Sequence, residues 1–114
     1  MPNPSTTPQG NIAGNWILSV TLSPAALHAT TTSEQTFTVQ GLNLGDFVDV
    51  SKPTSQAGLA LGNARVSAAN TLAITFTNLS TGTLTPTASE VYMVGVTRPD
   101  NLTSLGNPVL TQIT

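Results

Sequence analysis

The chain has 114 residues and a formal net charge of −2, and only 7% of its residues are charged, where about 25% is usual for soluble proteins. Its cations are Lys52, Arg65 and Arg98, too few for the basic stripe that neutralises phosphates, so no nucleic-acid partner is expected. It has no cysteine, which removes disulfides and thiolate metal sites, and its length suits a single core.

Residues 1–14 carry Pro2, Pro4, Pro8, Gly10 and Gly14 among Ser, Thr and Asn. That mixture neither holds a helix nor alternates, and predicts an extended arm. The opening "MPNPSTTPQG" has no cationic start and no apolar run, and no later stretch is apolar for long enough to span a bilayer. The expectation is a chain made in the cytoplasm with no membrane partner. At Trp16 the pattern changes, because "WILSVTL" is rich in branched and aromatic residues and is closed by Ser23 and Pro24, as a first strand should be.

"EQTFTVQGL" alternates, with Phe37 and Val39 on one side and Thr36, Thr38 and Gln40 on the other. Gly41 fits a bend. "GDFVDVSKP" follows a Gly-Asp turn signal, sets Val48 and Val50 against Phe47 and Asp49, and stops at Pro53. "TSQAGLALGN" reads as a loop with room for one short strand. "NARVSAANTLAITFTN" then gives a strand over 65–68, a turn at Ala69 and Asn70, and a clean strand with Leu72, Ile74 and Phe76 inward and Thr71, Thr75 and Thr77 outward. "STGTLTPTAS" is a long turn. "EVYMVGVTRP" places Tyr92, Val94 and Val96 on one face and Val91, Met93 and Gly95 on the other, and a last short strand fits Val109 to Ile113.

About seven or eight short strands with turn signals every 8–12 residues or so, and no credible helix, predict an all-β fold. The expected architecture is a single antiparallel β-sandwich, jelly-roll-like or immunoglobulin-like in wiring. An extended N-terminal arm over 1–14 precedes the sandwich domain over 15–99, and a C-terminal tail covers 100–114. Thr suits such sheets, since its branched carbon fits the pleat while its hydroxyl keeps the outer face wettable.

Reactive groups are sparse. His28 sits in "PAALHATTT" between two strands, and a histidine base needs a nucleophile and an orienting group beside it. A capping or exposed loop residue is the simpler reading. Asp46 and Asp49 fall short of a calcium cage without further acidic ligands, and turn chemistry accounts for them, with Asp46 bonding its loop backbone and Asp49 facing water or Lys52. Arg65 and Arg98, with Glu90, suggest ion pairs within or between subunits. The sequons "NLS" at Asn78 and "NLT" at Asn101 read as chance in a chain rich in Asn and Thr. Of the aromatics, Trp16 and Phe47 fall outside the expected core, where they could stack on a sugar, cover an end of the sandwich or anchor an interface. No catalytic, cofactor-binding or metal-binding residue is assigned, and no enzyme is expected.

Taken together, Gly45-Asp46 with Val48 and Val50, Lys52-Pro53, Gly58-Leu59, Ala64 to Ala69, the strand from Thr71 to Asn78, Thr85-Pro86 and the close from Tyr92 to Pro99 carry a resemblance. The span from Gly41 to Pro99 resembles the small β-sandwich proteins encoded among tailed-bacteriophage structural genes, described as head decoration or cement proteins. One departure is Ser89-Glu90, where a small residue or Gly would precede the strand. The resemblance implies a structural virion protein, a homotrimeric knob on the capsid exterior that binds the major capsid protein, stabilises the shell and reaches across it with a terminal arm. A similar sandwich also occurs in phage fibres, so the alternative is a fibre or vertex module that binds host cell-surface glycan. The expected capsid or subunit contacts are Pro2, Pro4, Pro8, Ile12, Trp16, Arg65, Arg98, Leu110 and Ile113.

Overall fold

The computed structural model describes residues 12–99, which form an all-β structure. The strands are β1 (Ile12–Leu22), β2 (Thr31–Thr38), β3 (Phe47–Ser51), β4 (Leu59–Ala68), β5 (Thr71–Asn78) and β6 (Glu90–Pro99). They make two three-stranded antiparallel sheets, ordered β1-β6-β3 and β2-β5-β4. The buried side chains of both sheets belong to one cluster, in which Leu72, Ile74 and Phe76 of β5 join Tyr92, Val94 and Val96 of β6. Phe37 meets Phe76 edge to face, with ring centroids 6.5 Å apart, the arrangement the ring quadrupoles favour.

The alternation in the sequence survives as geometry on β3, β5 and β6, where inward and outward residues fall as expected. Three boundaries differ. β2 covers Thr31–Thr38, where the alternation placed a strand from Glu34 to Leu42, so Val39 is buried just after the strand and not within it. β1 begins at Ile12, and Gly14 already pairs with Arg98, so the expected arm over 1–14 ends inside a strand. Residues 54–58 are a loop as expected, but the short strand that 54–63 had room for and the strand over 65–68 are one strand, β4, whose pairing with β5 slips between Leu61 and Ala64. The described residues thus hold six strands, and the seven or eight expected for the chain include one at 109–113 that lies beyond them. The bulge takes Gly62 and Asn63 out of register, and such a slip also breaks the period-2 signal. The expected strand at Val109 to Ile113 lies outside the described residues.

Connections are tied by side chains as much as by backbone. Asn70 turns the β4–β5 hairpin with φ 59°, a conformation that Asn tolerates better than most residues. Its Oδ1 accepts from Gly41 N at 2.8 Å, while its backbone bonds Leu42 and Val39. The turn therefore holds the segment that leaves β2. Ser89 stands just before β6 at φ 58°, the left-handed region where Gly would sit without strain, and its N–H is held by Ser23 Oγ at 2.9 Å.

Asn78 is fully buried at the end of β5. Its Nδ2 donates to the carbonyls of Leu27, His28 and Gly82 at 3.2, 3.0 and 2.9 Å, and its Oδ1 accepts from Ser80 N and Oγ at 2.9 and 2.7 Å. One amide thus joins the end of β5 to the β1–β2 connection and to the turn that follows β5. Asn78→Ala would remove one donor from each of three carbonyls, which keep Leu84 N, Thr31 Oγ1 and Ser80 Oγ, and would leave the Ser80 N–H without its acceptor. We expect it to cost about 3 kcal/mol, read as a lower urea midpoint with an unchanged m-value.

Candidate functional site

The core-facing side of the β1-β6-β3 sheet is closed at both ends by charge. At one end Arg98 donates through Nε and Nη2 to the two carboxylate oxygens of Asp46, both at 2.8 Å, and through Nη2 to Gly41 O at 2.7 Å. Asn43 N adds a bond to Asp46 Oδ2 at 2.9 Å, as expected of a turn carboxylate. Trp16 stacks on this pair, its ring 4.8 Å from the guanidinium carbon. The ring also lies over Gly14, where an added Cβ would come within 2.6 Å of it. Trp16 thus covers an end of the core and remains 43% exposed.

At the other end Lys52 pairs with Glu90, Nζ to Oε1 at 2.9 Å, so of the two places the sequence allowed for Asp49, water or Lys52, it takes water. The reason is position. Asp49 points out of the outer face, whereas Lys52 follows β3 on the inner side, where Glu90 opens β6. Thr54 clasps both partners, accepting from Lys52 Nζ at 2.9 Å and donating to Glu90 Oε2 at 2.5 Å. Beside this pair, Tyr92 is buried and its hydroxyl has no hydrogen-bond partner among the described residues. Burial, and secondarily the charge of Glu90, push its acidity down, so the phenol stays protonated.

The third cation, Arg65, reaches across β5 to Glu34 in a two-pronged contact, at 2.7 and 2.9 Å. Ala73 lies between their strands in the register and is fully buried. Around this pair the outer face of the β2-β5-β4 sheet carries Thr32, Thr36, Thr38, Thr71, Thr75 and Thr77, a polar surface that water satisfies.

The outer face of the β1-β6-β3 sheet is different. The register sets Asn15, Thr97 and Phe47 in one row, then Ile17, Gly95 and Asp49, then Ser19, Met93 and Ser51. Ile17 is 72% exposed, Phe47 70%, Val91 48% and Met93 44%. Asp49 is the one charge among the described residues of this face. Gly95 lies at its centre, and an added Cβ there would have Asp49 O as its nearest neighbour, at 3.9 Å. Glycine is unneeded there for space within the fold, yet it weakens a strand interior. Its effect is to keep the centre of the face flat. Next to Phe47 an open groove of about 300 Å³ runs between β3 and β4, with Asp49 and Asn63 on its lining.

Of the expected contact residues, Ile12 is part of β1 opposite Pro99, Trp16 and Arg98 meet at one end of the core, and Arg65 lies on the opposite sheet. Pro2, Pro4, Pro8, Leu110 and Ile113 lie outside the described residues. Sequence reasoning passed over Ile17, Val91, Met93 and Gly95 as site residues. The signal available was an apolar set on the face of β6 opposite Tyr92, Val94 and Val96. His28 is an exposed loop residue whose carbonyl accepts from Thr31 and Asn78, and its imidazole makes no hydrogen bond among the described residues. Asp46, Glu34 and Glu90 spend their oxygens on Arg98, Arg65, and Thr54 with Lys52, and no group of three metal-binding side chains occurs among the described residues.

Each of those three carboxylates has its pKa lowered: Asp46 by Arg98, with help from the Asn43 N–H, Glu34 by Arg65, and Glu90 by Thr54 and then Lys52. The unfolded chain therefore takes up protons first as pH falls. The stability these groups contribute is complete above the ordinary carboxylate range, about pH 4–5, and is lost as pH falls through their lowered folded values. Asp46→Asn should flatten part of that acid limb and lower stability at neutral pH by about 2 kcal/mol, measured by urea unfolding across a pH series. Comparison of the chain with protein-family models, with curated proteins and with solved structures finds no match.

Proposed function

We propose that the chain is a structural contact protein that docks through the outer face of the β1-β6-β3 sheet. The resemblance noted above points to the exterior of a phage capsid as the surface it meets. There, as an oligomer, it acts as a decoration or cement protein against the major capsid protein. The observation that carries the reading is the exposed cluster of Ile17, Phe47, Val91 and Met93 around the bare backbone of Gly95. A patch with so little charge is cheap to desolvate, and Phe47 is the kind of side chain that anchors an interface. A protein that binds an assembled lattice, and not its separated subunits, stabilises the lattice by mass action. A β-sandwich core is a stiff platform for such a contact, since a rigid partner loses little entropy on docking. Of the two wirings, the immunoglobulin-like one is favoured, because β2-β5-β4 and the β3-β6 pair reproduce its B-E-D and C-F neighbours.

A second reading has its own observation. Phe47 beside Asp49 and Asn63, at the mouth of a groove, is an aromatic face with a carboxylate and an amide alongside, which suits a sugar ring. On that reading the chain is a glycan-binding module of a fibre or vertex.

The amount of this chain in purified particles separates the two. Decoration requires it to be stoichiometric with the major capsid protein by quantitative mass spectrometry, whereas a few copies per particle would support the fibre or vertex. Two variants test the face itself. Phe47→Ala should weaken binding to stripped particles by roughly tenfold or more. Gly95→Val should block docking while leaving the unfolding midpoint unchanged or slightly raised, by up to about 1 kcal/mol. Undiminished particle binding by both variants would rule out this face.

A further inference from the structure

Among the described residues each sheet has two edge strands, and an edge presents unpaired N–H and C=O groups that invite another strand. Three of the four edges carry the usual deterrents. β2 has Glu34, β3 has Asp49 and only five residues, and β4 has Arg65 and two slips in its register. β1 has none of these from Gly14 onward: it is eleven residues long, carries no charge and no proline, and its one irregularity lies at Ile12 to Gly14. Among the described residues nothing pairs with its outer edge. Ile17, at the midpoint of β1, is 72% exposed, and Trp16 next to it is 43% exposed.

We propose that β1 pairs antiparallel with β1 of a second copy of this chain, about a two-fold axis through Ile17, to give a continuous sheet in the order β3-β6-β1-β1-β6-β3. The occupant is argued from charge and register. An edge that carries a charge at its centre sets like beside like when it meets its own copy, and β1 alone among the four edges avoids this. Residues opposed across an antiparallel pair share a face, and centring on Ile17 matches them in kind. Ile17 meets Ile17 and Asn15 meets Ser19 on the outer face. Trp16 meets Leu18 and Gly14 meets Val20 on the core side. Shifting the axis to Trp16 would set Asn15 against Ile17, and shifting it to Leu18 would set Ile17 against Ser19, so the neighbouring registers mix polar with apolar. Cross-strand pairs of matched kind are what stabilise a sheet. The pairing would also cover the exposed side of Trp16 without disturbing its stack on Arg98.

This inference concerns the isolated chain and stands or falls apart from the capsid reading. Sedimentation equilibrium of the purified full chain should show a reversible monomer–dimer equilibrium. Ile17→Lys and Ile17→Glu should each raise the dimer dissociation constant by roughly tenfold or more, because like charges then oppose each other at the axis. Mixing the two variants should restore association as a heterodimer. Ile17→Cys, the sole thiol in the chain, should cross-link to a disulfide dimer on mild oxidation. Ile17 is solvent-facing, so unfolding midpoints close to the parent's would confirm that these variants fold. A native chain that stays monomeric, a trimer, or association indifferent to Ile17→Lys would overturn the proposal. So would amide-exchange protection of residues 14–20 that does not vary with concentration, since the edge would then be covered within one chain.

Discussion

β6 is the strand on which the rest of the molecule depends. It is the centre of its sheet, bonded to β1 on one side and β3 on the other, and its inward residues Tyr92, Val94 and Val96 are almost wholly buried. Glu90 and Arg98 stand at its two ends, each closed against a partner from the chain around β3. The apolar row between them is thus bracketed by two ion pairs where the core meets water. In a chain with three cations this is a strict use of charge. A buried or half-buried charge without its partner costs far more than the pair contributes net, so neither end of β6 can be loosened alone. The pairs stand at the two ends of β3 and reinforce the register that the backbone ladder gives it along β6.

The strands that could be read from the sequence are those whose surroundings are simple. Leu72, Ile74 and Phe76 alternate cleanly with Thr because one side of β5 meets the core and the other meets hydroxyls and water. β4 was obscured because its bulge changes the phase of alternation midway, so Gly62 and Asn63 look like a loop within what is one strand. The start of β1 is invisible in the sequence because Ile12, Ala13 and Gly14 have no strand signature of their own. Their place is set by Arg98 and Pro99, more than eighty residues away in the chain, and no local pattern carries that information.

The candidate surface was legible in kind and not in place. Alternation put Val91, Met93 and Gly95 opposite Tyr92, Val94 and Val96, yet whether that second face meets water or another layer follows only from strand order. Pairing of charges was equally visible as a need and invisible as a map: Arg65 with Glu34, Lys52 with Glu90 and Arg98 with Asp46 are contacts of the folded chain. Lys52 is the instructive case, since the nearest acid in sequence, Asp49, points to the opposite side of the sheet.

Asn78 combines two properties that conflict. It heads the sequence Asn-Leu-Ser, which glycosylating cells modify during synthesis, and in the folded chain its amide nitrogen is spent on three carbonyls inside the protein. Folding and modification compete for the same atom. In a bacterial cytoplasm folding has no rival, but in a eukaryotic secretory pathway a sugar added first would leave the end of β5 with no way to close. The choice of expression host is therefore set by one buried amide.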